Sequence, residues 1–285
     1  MHANVESIRV LAKDGYPLAA TRFVPASPNG QCVIINSATA VRQKYYGNFA
    51  RYLSQQGFTA LTYDYRGIGN SLNSPIQDFE GTMMDWGTKD FAGVLAAAQT
   101  MGFNRILVAG HSAGGQLLGL AENNALVDAA LTVGAQSGYW RLWSGPQRYA
   151  LAALWYALMP GLSAVLSYFP ARRLGLGENL PAGIANQWAR WCRSENFIVD
   201  DEGHAVRQHF ESFARPVLAF SFADDLMAPK AAVDALSAFY SGAKLERRHL
   251  QPAHVGARRI GHFGFFRPEF EATLWRQSVA WLLAQ

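Results

Sequence analysis

Short apolar runs separated by helical patterns recur over the first 135 residues and again from residue 215 to the end of the chain. Asp14-Gly15 lies between the first two runs, and Asp-Gly in that position predicts a β-hairpin. The later runs contain few polar residues, which is typical of strands buried on both faces of a parallel sheet. The predicted strands are 7–11, 18–23, 31–35, 58–63, 105–109, 129–135, 215–222 and 245–250, and the predicted helices are 43–56, 84–101, 230–240 and 268–283. Their alternation predicts right-handed crossovers and an α/β fold with a mostly parallel central sheet and helices on both faces.

The alternation of strands and helices stops between Tyr139 and Phe213. Five of the eight tryptophans of the chain lie in this segment. We therefore interpret residues 139–213 as an insertion, and residues 1–138 and 214–285 as the two parts of one core domain.

The composition of the chain limits the classes of protein to which it could belong. Charged residues make up 16% of the chain and the net charge is +4, against about 25% charged residues in an average soluble protein, so part of the surface should be apolar. The basic residues form no stripe, so we expect no nucleic-acid partner. Cys32 and Cys192 offer neither a disulfide framework nor metal-ligand spacing, and the N-terminal residues form no signal-peptide core. We expect a cytoplasmic protein without a metal.

The strongest chemical signal is Gly-His-Ser-Ala-Gly at residues 110–114, between the strand at 105–109 and a helical pattern at 115–120. A strand, a Gly-x-Ser-x-Gly turn and a helix together form a nucleophile elbow. Glycines at both ends allow close backbone contact. Ser112 should then lie at the N-terminus of the helix, where free N–H groups and the helix dipole favour negative charge. The alternative is a Gly/Ser turn without a chemical role, and His111 is interpreted as a packing residue.

A serine hydroxyl needs a base, and a carboxylate that orients the base, to attack an acyl group. In proteins with this elbow the partners follow in the order Ser, Asp or Glu, His. Asp224 and Asp225 follow the strand at 215–222, and His262 lies in a predicted loop before the last helix. The chain therefore offers Ser112, His262 and one of two adjacent aspartates.

Residues 64–71, Asp-Tyr-Arg-Gly-Ile-Gly-Asn-Ser, follow an apolar strand and resemble a loop of the α/β-hydrolase superfamily. The resemblance is to its bacterial esterase, lysophospholipase-like and serine aminopeptidase-like members. It covers residues 1–135 and 214–285, and it implies an α/β-hydrolase fold with an inserted helical cap or lid at 139–213.

The same resemblance implies roles for particular residues. Asp64 and Arg66 would brace their loop. Asp225 would be the acid because Asp-x-x-x-Pro, completed by Pro229, is the usual form of the acid loop, with Asp224 as its competitor. His262 would be the base.

The negative charge of a tetrahedral intermediate needs two N–H donors. The first should be the backbone N–H of Ala113, directly after the nucleophile. The second should come from the loop at 36–40, where either Ala38 or Thr39 could supply it, with Thr39 slightly favoured. Many relatives have His-Gly in this loop and some have three glycines. This chain has neither. The absence of the three glycines argues against esters of bulky tertiary alcohols.

The insertion contains an uncharged stretch from Tyr149 to Ala171, bounded by Arg148 and by Arg172-Arg173. Its length is sufficient to cross a bilayer, but Pro160-Gly161 should break it into two short helices. Three interpretations remain open: a membrane span, a lid over the active site, which we favour, and a pair of helices that docks transiently on a lipid surface. A lid would line the substrate site with apolar residues, namely Trp140, Trp143, Trp155, Tyr156 and Met159.

These features together predict a serine hydrolase that cleaves a carboxylic ester of a small hydrophobic molecule, with an acyl chain or an aromatic group, through an acyl-enzyme and without a metal or organic cofactor. Amidase or aminopeptidase activity and acyl transfer to an alcohol are alternatives, because they use the same residues. A non-catalytic binding protein on the same fold is the alternative from another class. The oligomeric state is open.

Overall fold

Eight strands form one central sheet in the computed structural model, which describes residues 4–285. The strand order is β1-β2-β4-β3-β5-β6-β9-β10. β2 pairs antiparallel with β1 and with β4, and all the other neighbours are parallel. The strands are β1 (Asn4–Leu11), β2 (Pro17–Val24), β3 (Gln31–Asn36), β4 (Thr59–Tyr63), β5 (Arg105–His111), β6 (Ala129–Val133), β9 (Pro216–Phe222) and β10 (Lys244–Leu250). The prediction of an α/β fold with a mostly parallel sheet is confirmed.

The polarity of each strand follows its place in the sheet. Every residue of β4 and β6 is buried, because helices cover both faces of the central strands. β10 is an edge strand with the sequence Lys-Leu-Glu-Arg-Arg-His-Leu, and it is partly exposed along its length. Charged side chains on an edge strand oppose pairing with another chain.

The helices cover the sheet from both sides, and several contain short 3₁₀ or π segments. Outside the insertion they are Gly47–Gln55, Met83–Asp85, Ala92–Thr100, Ala113–Gln116, Lys230–Ser237, Gly261–Gly264 and Arg276–Ala284. The predicted helix at 43–56 begins as a 3₁₀ turn, Gln43–Tyr46. The predicted helix at 84–101 includes the π segment Trp86–Phe91, and the last helix is preceded by another, Glu271–Trp275. The predicted positions are therefore right, although local geometry varies.

The insertion at 139–213, called the cap below, consists of helices and one short ribbon. Its helices are Gly145–Leu166, Ala182–Arg193, Ile198–Glu202 and His204–Glu211. The ribbon pairs β7 (Tyr168–Phe169) with β8 (Leu180–Pro181). Trp155, Met159 and Trp191 of the cap pack in the same apolar cluster as Trp86 and Phe91 of the core. The cap is therefore packed firmly on one side of the sheet.

The expected break at Pro160-Gly161 is wrong, because the helix continues from Gly145 to Leu166. The turn before the proline, Leu154–Leu158, is π-helical, and Met159 donates its N–H to the carbonyl of Leu154. A π turn is wider than an α turn. It accommodates the proline ring and the missing N–H that would otherwise disrupt the helix.

Candidate active site

Ser112 lies in a sharp turn between β5 and the helix Ala113–Gln116. Its backbone has φ +52° and ψ −118°, a strained conformation that non-glycine residues adopt mostly at functional sites. A Cβ on Gly110 would lie 2.7 Å from the backbone of Gly114, and one on Gly114 would lie 2.2 Å from the carbonyl oxygen of Asn36. Both glycines are therefore required by close backbone contact, as the sequence suggests.

The helix after the turn is shorter than predicted. It ends at Gln116 and continues only as the 3₁₀ turn Leu117–Gly119. A Cβ on Gly119 would lie 2.1 Å from the ring of Phe210, so this segment is adapted to close packing and not to helix propensity. A macrodipole needs a longer helix. Negative charge at Ser112 would therefore be stabilised by individual N–H groups.

The hydroxyl of Ser112 donates a hydrogen bond to Oε1 of Gln136 over 3.4 Å. The orientation of this amide is fixed, because its Nε2 donates to the carbonyl of Met227 over 3.3 Å. The backbone carbonyl of Gln136 also accepts from Nε2 of Gln116 over 2.7 Å. Sequence reasoning missed Gln136, whose only signal is its position just after β6. It gives the resting serine a weak partner.

His262 and Asp225 form a buried pair. Nδ1 of His262 donates to Oδ2 of Asp225 over 2.8 Å. The other carboxylate oxygen accepts the N–H groups of Met227 and Ala228 over 2.8 and 2.9 Å. These bonds hold the carboxylate as an acceptor and leave Nε2 of His262 without a partner among residues 4–285. His262 lies in the short helix Gly261–Gly264, not in the loop that we predicted.

Asp224 has a different set of partners. Its Oδ2 accepts the N–H groups of Ile260 and Gly261 over 2.8 and 3.1 Å. It therefore holds the turn that leads into His262 and does not touch the imidazole. The geometry distinguishes the two aspartates, and only Asp225 contacts the histidine ring.

The end of β6 connects the serine with the His262–Asp225 pair. The N–H of Ser112 donates to the carbonyl of Val133 over 2.9 Å. A Cβ on the next residue, Gly134, would lie 3.2 Å from both Oδ2 of Asp225 and Nδ1 of His262. The residues Ser112, Asp225 and His262 are only 8%, 3% and 6% exposed. The three predicted residues thus lie in one buried region at the carboxyl ends of β5, β6 and β9.

A chain of hydrogen bonds connects the loop after β3 with the histidine turn. The N–H of Ala38 donates to the hydroxyl of Tyr46 over 2.8 Å, and this hydroxyl lies 2.8 Å from Nδ1 of His111. Nε2 of His111 donates to the carbonyl of His262 over 2.9 Å. Burial, with a smaller effect of His262, lowers the pKa of His111 well below 6.5. His111 is therefore neutral and does more than pack.

This chain of bonds distinguishes the two candidates for the second oxyanion donor. The N–H of Ala38 already donates to the hydroxyl of Tyr46. The prediction that Ala38 could be the second oxyanion donor is therefore corrected. The N–H groups of Thr39 and Ala113 donate no hydrogen bond in the part of the chain that the structure describes. Oγ1 of Thr39 is also buried without a partner. Thr39 and Ala113 are the candidate oxyanion donors that remain.

The cap contacts the loops that carry these residues at two points. Nε1 of Trp143 and Nε2 of Gln147 both donate to the carbonyl of Leu226, directly after Asp225, over 2.9 and 2.7 Å. On the other side, the N–H of Glu178 donates to the carbonyl of Ala40 over 2.8 Å. The Glu178 carboxylate pairs with Arg42 over 2.6 Å. The cap therefore holds both the acid loop and the loop of Thr39.

The five predicted substrate-binding residues are not equivalent in the structure. Trp143, Trp155 and Met159 are buried, and the Trp155 ring packs on Trp188 with 4.8 Å between centroids. Trp140 is half-buried against the apolar cluster. Tyr156 is 54% exposed on the outside of the cap, so its assignment to the substrate site is corrected.

The residues of the loop at 64–71 act as a brace. Arg66 binds both oxygens of Asp14 over 2.8 Å and Oδ1 of Asp90 over 2.6 Å. Asp64 accepts the N–H groups of Gln43 and Asn70 over 2.8 and 3.0 Å.

Within residues 4–285 no group of three His, Cys, Asp or Glu side chains could hold a metal ion.

The sheet order defines an α/β protein, and its candidate site combines a sharp strand–serine–helix turn with a buried histidine–carboxylate pair. Comparison with family profiles matches residues 34–274 to the alpha/beta hydrolase family. The chain belongs to that family. Comparison with curated proteins gives no significant match.

Solved structures of similar fold include several esterases. The esterase EaEST from Exiguobacterium antarcticum is 16% identical, with a TM-score of 0.64, over 98% of this chain and 100% of that chain. Est1E from Butyrivibrio proteoclasticus with ferulic acid bound is 17% identical, with a TM-score of 0.63, over 98% of each chain. A bromoperoxidase from Bacillus anthracis is 14% identical, with a TM-score of 0.60, over 98% of this chain and 100% of that chain. At these identities the likeness establishes the fold and leaves the activity open.

Proposed function

We propose that the protein is a serine hydrolase that cleaves a carboxylic ester with a hydrophobic acyl or aromatic part. The observation that carries the proposal is the strained Ser112 beside a buried His262–Asp225 pair with 2.8 Å between Nδ1 and Oδ2. A binding protein would have no need of a strained serine next to an oriented imidazole.

In the first proposed step, Nε2 of His262 takes the proton of Ser112 as Oγ attacks the carbonyl carbon of the ester. Asp225 keeps the imidazole in the required tautomer and stabilises the imidazolium. The carbonyl oxygen becomes negatively charged and accepts the N–H groups of Ala113 and Thr39. His262 then gives the proton to the leaving alcohol, and the acyl group remains on Ser112.

In the second step a water molecule occupies the place of the alcohol. His262 accepts its proton, the hydroxide attacks the acyl-enzyme, and collapse of the second tetrahedral intermediate returns the proton to Ser112 and releases the carboxylic acid. We propose an ester and not an amide as the substrate, because several proteins of similar fold are esterases.

The cap supports a hydrophobic substrate. Trp155 and Met159 are buried in the apolar cluster that the cap shares with the core, and Trp143 is buried beside the acid loop; none of the three carries a charge. Est1E, a protein of similar fold, has bound ferulic acid, which is an aromatic acid. An apolar acyl or aryl group would bury its surface against such side chains.

The test is labelling with a fluorophosphonate, read by intact mass. We expect one adduct on the wild type and none on Ser112→Ala, with unchanged thermal unfolding. Ser221→Ala is the matched control, because Ser221 is also buried and pairs with a histidine, His249, over 2.8 Å, but lies in a regular strand. Ser221→Ala should be labelled like the wild type. An unlabelled wild type, or a labelled Ser112→Ala, would overturn the proposal.

A further inference from the structure

The outer face of the cap helix Gly145–Leu166 is apolar. Every exposed position between Tyr149 and Val165 is Ala, Gly, Leu, Val or Tyr. Val165 is 82% exposed and Tyr149 is 62% exposed. A surface helix normally turns charged and polar residues to the solvent. This helix presents apolar residues to the core and to the solvent alike, so its outer face needs a partner.

Further exposed apolar side chains lie outside the helix. Leu174 and Leu176 follow it in the chain and are about half exposed, and Leu226 of the acid loop is 70% exposed. Leu226 adjoins the start of the helix, because its carbonyl binds Trp143 and Gln147. We call the outer face of 149–165 together with Leu174, Leu176 and Leu226 the apolar cap face.

The charged residues of the stretch that contains the helix are all positive. No acidic residue occurs between Asp128 and Glu178, whereas four arginines, at 141, 148, 172 and 173, lie in that stretch. Arg148 stacks over Tyr149, 4.9 Å from the ring centroid, and Arg193 stacks over Tyr156 at 5.4 Å. Within residues 4–285, only Arg172 of the four forms an ion pair with a carboxylate, that of Glu178.

We propose that the apolar cap face docks on the surface of an anionic lipid bilayer. The helix Gly145–Leu166 lies in the plane of the interface, its apolar outer face enters the boundary of the acyl chains, and the arginines contact the phosphate groups. Tyrosines such as Tyr149 and Tyr156 suit this boundary because one end of the ring is apolar and the other is polar.

Two other arrangements fit the structure less well. The helix is long and apolar enough to cross a membrane, but Trp155, Met159 and Ser163 are buried against the protein, and a spanning helix would lose these contacts. A second copy on the same face would bring like charges together, since the stretch offers its arginines no free acidic partner. An anionic surface neutralises them.

Docking goes beyond the proposed hydrolysis and does not depend on it. Ser112→Ala should bind vesicles as the wild type does, so failure of one proposal does not affect the other. The probe is sedimentation of the full chain with vesicles of phosphatidylcholine, with or without phosphatidylglycerol. We expect binding to the phosphatidylglycerol vesicles only, weakened by added salt.

Substitutions on exposed helix positions localise the contact. Ala153→Glu with Ala157→Glu should reduce vesicle binding at least tenfold, because both charges would enter the apolar boundary. Ala280→Glu, on an exposed position of the last helix, is the matched control and should bind like the wild type. Arg173→Gln should weaken binding about fivefold, and Arg276→Gln on the last helix should not.

Several results would overturn the proposal. These are no binding to either vesicle, equal binding to neutral and anionic vesicles, or equal losses for Ala280→Glu and the double variant. Light scattering without lipid provides a further test. If the protein is a dimer that Ala153→Glu with Ala157→Glu converts to a monomer, the apolar cap face is an interface between two copies and not a lipid-docking surface.

Discussion

His111 donates a hydrogen bond from Nε2 to the backbone carbonyl of His262 over 2.9 Å. The residue before the candidate nucleophile thus holds the backbone of the candidate base. Through Tyr46, the same imidazole is connected to the loop after β3. The turn of Ser112, the candidate base and the loop of Thr39 are therefore fixed relative to one another by buried side chains.

The two aspartates should differ in their effect on activity. Asp225→Asn removes the carboxylate that accepts from Nδ1 of His262, and we expect kcat for ester hydrolysis to fall about 10⁴-fold. Asp224→Asn keeps an oxygen for the N–H groups of Ile260 and Gly261, so the expected loss is about tenfold or less. Steady-state kinetics on both variants measure the difference. A larger loss of kcat for Asp224→Asn than for Asp225→Asn would show that Asp224, and not Asp225, is the acid.

Removal of one hydroxyl should loosen the loop of Thr39. Tyr46→Phe leaves the buried N–H of Ala38 without a partner, which should lower the free energy of unfolding by about 1–3 kcal/mol. The oxyanion donor then moves, and kcat should decrease about tenfold with little change in KM. Tyr52→Phe, in the following helix, is the control, since the Tyr52 hydroxyl has no hydrogen bond within residues 4–285. Equal kinetics for wild type and Tyr46→Phe would contradict the prediction.

Stability should decrease in mildly acidic solution. The pKa of His111 is well below 6.5 in the folded protein, so the unfolded chain takes up a proton that the folded protein does not. The contribution is complete above pH 6.5 and is lost as the pH falls below it, by about 1.4 kcal/mol per pH unit. Urea unfolding at pH 7, 6 and 5 measures this slope.

The matched variants are His111→Gln and His204→Gln. The first should reduce the slope of stability against pH by about one proton, and the second, at an exposed helix position, should leave it unchanged. A wild-type slope in His111→Gln would assign the acid sensitivity to another group.

The ion pair between cap and core should affect catalysis more than stability. Burial opposes ionisation of Glu178, but hydrogen bonds from Arg42 and Arg172 outweigh it and lower the pKa of Glu178. Glu178→Gln weakens the contact with the loop of Ala40, so kcat should decrease several-fold, whereas partly exposed pairs contribute only about 0–1 kcal/mol to folding. Glu122→Gln, which removes the exposed pair with Lys13, should change neither. Unchanged kcat in Glu178→Gln would show that the cap does not position this loop.

Ester chain length should govern the rate. Because each buried CH₂ contributes about 0.8 kcal/mol, kcat/KM for 4-nitrophenyl esters should rise up to about fourfold per carbon and then drop where the site ends. Ser112→Ala provides the blank for spontaneous hydrolysis. Rates that fall steadily from acetate onward would argue against an apolar acyl site.

Much of the site could be predicted because its signals are local. Gly110 and Gly114 mark close backbone contacts, and Ser112, Asp225 and His262 each follow or precede a recognisable core element. The sequence around Ala38 and Thr39 does not decide which of them has a free N–H, because this depends on the hydroxyl of Tyr46 in a later helical turn. The hydrogen bond between His111 and His262 joins residues far apart in the chain, and no sequence pattern around either residue predicts it.

The cap was harder to predict than the core. The helix Gly145–Leu166 is apolar on its inner and outer faces, so periodicity did not indicate that Tyr156 faces solvent while Trp155 and Met159 are buried. The sequence predicts that Pro160-Gly161 breaks the stretch into two short helices, but the wider π turn Leu154–Leu158 accommodates the proline within one helix. Backbone adjustments of this kind depend on packing and leave no residue signature.

The cap is attached to the acid loop through Trp143 and to the loop of Ala40 through Glu178, whereas the eight-stranded sheet has its own buried core. Heat that loosens only these outer attachments would displace the carboxylate that orients the candidate base and a candidate oxyanion donor together, while the sheet remains intact. The proposed hydrolysis would then be lost at a temperature below that at which the sheet unfolds, so the contacts between the cap and these two loops, and not the buried core, would set the upper temperature limit of activity.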